Sequence, residues 1–186
     1  MESQALYKTI YKIAKVVNAS LEPKEVLGQI VEQVAKAMSA KGCFIRLLDR
    51  TGTILKPDAY FGLSDRYAQK GPVEVSKSKI DQEVLQGNPI YIEDVRTDSR
   101  FQYPQQASEE GIISLVVVPL IGRGNKVIGV LRVYSAENRR FTEDELEFVS
   151  CIANLCGIAL ENARMYHALK RTRELADAYV YQVFED

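Results

Sequence analysis

The sequence predicts an α+β domain built on antiparallel hairpins, on three observations. From Gly111 to Phe141 it writes a strand, a turn and a second strand without interruption. Ile113 to Ile121 is apolar apart from Ser114 and Pro119, Gly122 to Asn125 carries turn residues, and Val127 to Tyr134 resumes β-branched and apolar character. A second hairpin is written by Cys43 to Leu48 and Thr53 to Phe61 around the turn Arg50-Thr51-Gly52, with Pro57 favouring an edge position. Helical periodicity then brackets both hairpins.

Leu6, Ile10, Ile13 and Val17 fall on one helical face in near-heptad register. After Asn18-Ala19-Ser20, Pro23 can open a second helix whose stripe is Val26, Leu27, Ile30, Val31, Val34 and Met38, and Gly42 ends that region. Gly62 to Pro72 reads as a polar loop. Ser76 or Ser78 can cap a short helix through Gln86, and Ile90 to Ile92 is a brief strand before Asp94-Val95. Thr97 to Gly111 is irregular with one or two helical turns, the kind of segment that often holds a ligand.

Thr142-Glu143-Asp144-Glu145 is a capping box, and no proline follows it to Asp186. A helix of about 40 residues would run about 60 Å, further than the sheet domain is wide. One stripe, Leu146, Val149, Ala153, Cys156, Leu160 and Ala163, can cover the sheet. A second, Phe148, Ile152, Leu155, Ala159 and Tyr166, needs another partner and continues through Leu169, Ala176, Val180 and Val183.

Composition narrows the function classes. With 46% hydrophobic residues the chain can build one proper core, and 24 basic against 25 acidic side chains leave a formal charge of −1, so no nucleic-acid surface is expected. The run Lys170-Arg171-Thr172-Arg173 reads as solvated helix. Three cysteines and no secretory leader pattern in MESQALYKTI point to a reducing, cytoplasmic setting. No window reaches the roughly 18 continuous apolar residues of a membrane span, so no membrane contact is expected.

Several local patterns, in this order, resemble the GAF domain, the small-molecule sensor module of signalling proteins. They are Asn88-Pro89-Ile90 leading to Asp94-Val95, then Asp98-Ser99-Arg100, Glu110-Gly111-Ile112 and Pro119-Leu120. Ile128-Gly129-Val130-Leu131 through Ser135 follows, then Phe141-Thr142 with Glu145, and Ile158-Ala159-Leu160-Glu161-Asn162-Ala163. The resemblance implies a GAF/PAS-like central antiparallel sheet of five to six strands. It places the first and last helices on one face, a ligand pocket on the other, and the strands at 43–48 and 126–135 side by side in mid-sheet. It also implies dimerisation through the terminal helices. Residues 1–168 would form the domain and 169–186 a helical signalling extension.

Strand alternation gives that pocket a direction. If Ile45, Leu47, Leu131 and Val133 face the helices, then Phe44, Arg46, Leu48, Val130, Arg132 and Tyr134 face the pocket. Two guanidiniums on adjacent strands need an anion, either a small anion-bearing ligand such as a carboxylate or nucleotide phosphate, or an internal acid. Asp81, Glu83, Glu93, Glu109 and Glu110 are the internal candidates, and exposure at the sheet rim is a third reading. The expected ligand-binding residues are Phe44, Arg46, Phe61, Tyr91, Asp94, Phe101, Ser114, Arg132 and Tyr134. Tyr60 and Tyr103 would add aromatic wall, or pack a lid.

Little supports catalysis. Cys43, Cys151 and Cys156 are the only thiols, whereas the methionine sulfoxide reductase lineage of the family uses cysteines in the lid, and here 77–80 and 94–111 contain none. The bilin-bearing lineage also needs a lid cysteine. His167 is the sole histidine, too few for a histidine metal site or a Ser-His-Asp triad. Asn138-Arg139, Phe141 and Asp144-Glu145 approximate the cyclic-nucleotide signature with one residue missing from its spacing. The expectation is a non-enzymatic, homodimeric sensor that passes pocket occupancy to a downstream domain or partner, with ligand and cofactor unnamed by the sequence. A structural dimerisation module without ligand is the alternative.

Overall fold

The structure, a computed structural model, describes residues 2–184, with side chains described from residue 4 to residue 178. The predicted stripe positions Val180 and Val183 and the last two residues of the expected extension therefore lie outside the described residues or side chains.

Two helices come first, α1 (Glu2–Ala19) and α2 (Pro23–Ala37), followed by the hairpin β1 (Gly42–Leu48) and β2 (Ile54–Phe61). Pro23 opens α2 at its first turn, where its missing N–H costs no helical bond. The segment expected to be a polar loop holds a helical turn, α3 (Asp65–Ala68), because the Ser64 side chain accepts a hydrogen bond from the Tyr67 amide. A two-residue strand, β3 (Val73–Glu74), and α4 (Lys79–Val84) follow, the latter capped by Ser78 through the Asp81 amide. Next come β4 (Ile90–Ile92) and α5 (Pro104–Glu110), which Gly111 ends in the left-handed conformation. The long hairpin β5 (Ser114–Ile121) and β6 (Val127–Ser135) leads to α6 (Glu143–Phe184).

The six strands form one antiparallel sheet in the order β3-β2-β1-β6-β5-β4. As predicted, β1 and β6 lie side by side at its centre, with Phe44 opposite Arg132 and Arg46 opposite Val130. Pro57 lies on the second strand rather than an edge, but β3 pairs only with Ile54 and Leu55, so the proline meets no ladder partner on that side. A bulge opposite Ile45 and Arg46 leaves Asp58 unpaired and shifts the register of β2.

Alternation along the strands divides the interior into two cores. Cys43, Ile45, Leu131 and Val133 meet α1, α2 and α6 on the first face, while Phe44, Val130 and Tyr134 meet the short helices and their connections on the second. Ile13, Leu27, Ile30, Ile45 and Leu131 are fully buried in the first core. Each contributes about 1.5–3 kcal/mol of hydrophobic transfer.

The predicted capping box starts α6, with Glu145 Oε2 accepting from the Thr142 amide at 2.9 Å and Thr142 Oγ1 accepting from the Glu145 amide at 3.2 Å. Its second apolar stripe finds its partner within the chain: Phe148, Ile152 and Ala159 are buried in the core shared with α1 and α2. Beyond that core, Ile158, Met165, Tyr166, Leu169 and Leu175 are exposed, as are Tyr7 and Tyr11 on α1. One 18-residue stretch of α6 is apolar enough to cross a membrane, at mean hydropathy 1.3, but half of that stretch is buried inside the fold. Its apolar character is that of a core helix.

Helix α6 settles on the end of β5 at Gly157, where any Cβ would overlap the Ile121 carbonyl oxygen. Alanine is normally the better helix former by about 1 kcal/mol. Here the sign should reverse: Gly157→Ala is expected to destabilise by about 1–3 kcal/mol, whereas Gly28→Ala on α2, where a Cβ meets nothing within 4 Å, should stabilise by about 0.5–1 kcal/mol. Urea unfolding of the two variants checks the contrast.

Candidate functional site

The second face of the sheet carries the charged floor that alternation predicts. Arg46 and Arg132 are buried, at 1% and 6% exposure. They do not share the same fate. Arg132 Nη2 donates to both carboxylate oxygens of Asp81 on α4, at 2.5 and 2.6 Å, and Asp81 is itself fully buried. The Ser78 hydroxyl donates to Asp81 Oδ2 at 2.6 Å, fixing the carboxylate from the helix cap. Of the internal acids weighed from sequence, Asp81 is the one that pairs with either of these arginines among the described residues. Burial works against the Arg132 charge, but Asp81 and the neighbouring tyrosines outweigh it and hold the guanidinium above its ordinary pKa.

Arg46 has no carboxylate partner among the described residues. Its Nη1 donates to two carbonyls, Gly71 O at 3.2 Å and Leu55 O at 3.5 Å, and its guanidinium lies 4.3 Å from the Phe44 ring centroid. Burial, then the nearby Arg132, lowers its pKa. Four buried side-chain polar atoms make no hydrogen bond among the described residues: the donors Arg46 Nη2, Arg132 Nε and the Tyr67 hydroxyl, and the acceptor Gln102 Oε1. Such atoms are rare in folded proteins, and each costs about 1–3 kcal/mol when left unmatched.

A residue that sequence reasoning passed over completes the cluster. Lys70 follows α3, with its Nζ 3.6 Å from the Tyr67 ring centroid and 4.6 Å from that of Tyr103. Burial, with repulsion from Arg132 and Arg46, pushes its pKa down to about 7. Lys70 and Tyr67 also line an outer cleft of about 500 Å³, together with Ser64, Arg66, Gln106, Glu109 and Glu110. The signal available in sequence was Ser64-Asp65, a helix cap placing Tyr67 and Lys70 three residues apart on one side of a turn.

Of the expected ligand-binding residues, Phe44, Arg46, Phe101, Arg132 and Tyr134 gather here and are buried. The other four lie elsewhere. The bulge in β2 turns Phe61 to the α2 side, where it is exposed and the Lys36 ammonium lies 5.7 Å from its ring. Tyr91 pairs with Val116, packs on Phe141, and donates its hydroxyl to Arg139 O at 2.7 Å. Ser114 shares the helix face with Val116 and donates to Glu137 O at 2.8 Å. Asp94 folds back on Arg96, accepting at 2.6 and 2.9 Å, and this ion-paired hydrogen bond depresses its pKa to about 2. Asp94 shapes a turn; Tyr91 and Ser114 anchor the connection from β6 to α6.

The thiols belong to the other face. Cys43 and Cys156 are buried in the first core; burial raises both pKa values, Cys156 to about 12, and disfavours the thiolate that thiol chemistry needs. His167 is exposed on α6.

One sheet, with long helices on one face and short helices over buried cations on the other, defines a small α+β domain. The sequence profile of the GAF domain family matches residues 20–161, and the chain belongs to that family. The GAF domain of a phosphoenolpyruvate-protein phosphotransferase from Coxiella burnetii superposes with a TM-score of 0.80 at 21% identity, over 90% of this chain and 99% of that one. The corresponding domain from Acinetobacter gives 0.74 at 26% identity, over 86% and 94%. Free methionine-R-sulfoxide reductase from Neisseria meningitidis shares the fold, at 0.75 and 16% identity, over 89% and 94%.

Among curated proteins, a Nif-specific regulatory protein of Herbaspirillum seropedicae is 25% identical over 89% of this chain. A methyl sulfide methyltransferase-associated sensor of Methanosarcina acetivorans is 28% identical over 83%. The matched regions span 31% and 16% of those proteins. The relatives are mainly sensor and regulatory proteins of signal transduction.

The Lys70 pKa makes stability depend on pH. Below about 7 the ammonium is charged in both folded and unfolded chains and its burial cost is fully present; between about 7 and the ordinary 10.5 the unfolded chain keeps the proton that the fold has lost, so stability rises with pH. Lys70→Met should therefore raise the melting temperature most below pH 7, with the gain shrinking towards pH 10.5, as thermal unfolding across that range would read.

Proposed function

We propose that this GAF domain is a cytoplasmic, non-enzymatic ligand sensor that binds a small anion-bearing molecule between the sheet and its lid. The three unmatched buried donors, Arg46 Nη2, Arg132 Nε and the Tyr67 hydroxyl, carry the reading, because a ligand oxygen can satisfy each of them. Its family and its regulatory relatives support a sensing role. Ligand would shift the population of lid conformations, and the change would pass through the sheet to α6 and on to a downstream domain or partner. Residues 1–168 form the sensing unit in this reading, and 169–186 the signalling extension.

The domain works as a homodimer through α1 and α6. The exposed apolar side chains Tyr7, Tyr11, Met165, Leu169 and Leu175 support this, since they stand outside the core. A second reading, a dimerisation module without ligand, is favoured by the dense packing of the second core, where Phe44, Tyr67, Phe101 and Tyr134 are all buried.

Native mass spectrometry of purified protein and a thermal-shift screen of small acids and phosphates separate the two readings. Binding should survive Phe61→Ala and vanish in Arg46→Met, which itself should melt higher because it removes a buried unpaired cation. No retained molecule and no shift with any compound leaves the structural module. The dimer is read by light scattering: Leu169→Glu with Leu175→Glu should convert dimer to monomer, and a monomeric wild-type chain overturns that part.

A further inference from the structure

The second face holds more cations than its buried carboxylate pairs. Three cations converge on it from separate elements: Arg46 from β1, Arg132 from β6 and Lys70 from the segment after α3. Arg132 and Arg46 both act on Lys70, and Arg132 acts on Arg46. One buried carboxylate, Asp81 on α4, faces them, and it is committed to Arg132 and to the Ser78 hydroxyl.

The remaining acids around the lid are engaged at its rim. Glu110 on α5 accepts from the Ser64 amide at 2.8 Å and from the Ser64 hydroxyl, with Lys41 at 3.9 Å. Glu109 pairs with Arg66, and Glu83 lies 3.7 Å from Arg100. The titratable neighbours of Lys70 besides the two arginines are Glu110 and Asp81, which favour its charge, and the phenols of Tyr67 and Tyr103. Glu110 lines the same cleft as Lys70, but among the described residues neither Lys70 nor Arg46 forms an ion pair, so two of the three cations are without a carboxylate partner.

From this balance we infer that the pocket takes a doubly charged small anion, a dicarboxylate or a phosphate monoester, with one charged end on Arg46 at the floor and the other drawn by Lys70 of the lid. The inference rests on the sensor reading above and goes further by fixing the charge of the ligand. Arg46 and Lys70 are the two cations without a carboxylate among the described residues, one beneath the lid and one within it. They are already linked: Arg46 Nη1 donates to the carbonyl of Gly71, the residue after Lys70, at 3.2 Å. Gly71 has φ +111, a conformation that side-chain-bearing residues rarely adopt. The segment that presents Lys70 is thus aimed by a backbone turn and held to the floor arginine. The rings of Phe44, Tyr67 and Tyr103 wall the two cations and leave their polar edges for the ligand. A dianion would neutralise both, keep Lys70 protonated, and bring a proton with it near neutral pH.

Isothermal titration calorimetry tests this with matched pairs that differ by one charge: succinate against its monomethyl ester, and phenyl phosphate against its methyl ester. At least one dianion should bind about tenfold or more tightly than its monoanionic partner, a difference of about 1.4 kcal/mol. The skeleton that binds distinguishes carboxylate from phosphate. Lys70→Met should reduce the dianion to the affinity of its monoester without weakening the monoester. Wild-type affinity for the dianion should fall from pH 7 to pH 9, with proton uptake visible as a buffer-dependent enthalpy.

Equal binding of dianion and monoester, or an unaltered ratio in Lys70→Met, overturns the inference and leaves the sensor reading standing. So does a neutral or singly charged molecule retained in the native mass spectrum. Failure of every probe together with no retained molecule removes both.

Discussion

The ion pair between Arg132 and Asp81 is the interaction on which the second face depends. It joins the middle of the sheet to α4, both partners are buried, and the Ser78 cap fixes the carboxylate that receives the guanidinium. Desolvation nearly cancels the Coulombic gain of such a pair, so its net stabilisation is small; removal of one partner strands the other charge and costs about 3–5 kcal/mol. Its consequence for function is an allocation. Because Asp81 is consumed by Arg132, Arg46 is left with two carbonyls and a ring, and Lys70 is left to titrate near neutrality. An apolar isosteric pair would close the face equally well but would remove the Arg132 Nε donor from it.

How much of this was legible follows from where period-two reasoning holds. On β1 and β6 the apolar alternation is uninterrupted, so Ile45, Leu131 and Val133 went to the helices and Arg46 and Arg132 to the other side, as found. The same counting fails on β2. From Leu55, steps of two place Phe61 with the pocket, but the extra residue at Asp58 inverts the strand beyond it. Pro57-Asp58 was the available warning, since proline in a strand marks an edge or a bulge. Ser114 and Tyr91 failed for another reason: their facing depends on the pairing of β5 with β6 and β4, which is a long-range fact. The missed helix α3, and with it Lys70, illustrates how a four-residue element leaves no periodicity, only a cap.

Two residues expected to touch ligand have a different use that bears on signalling. The Tyr91 hydroxyl and the Ser114 hydroxyl each bond a carbonyl of the segment between β6 and α6, at Arg139 and Glu137. Arg139 in turn donates to the Met38 carbonyl at 2.8 Å, just past α2, and pairs with Glu145 of the capping box that starts α6. One short path of hydrogen bonds therefore runs from β4, at the edge beside the lid, to the first turn of the long helix. A shift of β4 would pull on the start of α6 directly, without repacking the first core.

The sheet offers the second route, and the two are mechanically distinct. Leu131 and Val133 press on the helices while Arg132 between them carries the ion pair, so a force on the guanidinium is felt one residue away on the opposite face. Close packing at Gly129 against the Arg46 carbonyl and at Gly157 against the Ile121 carbonyl leaves these strands and α6 little slack. A stiff sheet transmits small displacements but not large ones, whereas the connector from Ser135 to Glu143 is tied to β4, β5 and the end of α2 by single hydrogen bonds. A ligand that only neutralised charge at Arg46 would act through the sheet. One that also drew in Lys70 would move the segment between α3 and β3, which Arg46 already holds through the Gly71 carbonyl, and so would load the same central strand from the lid side.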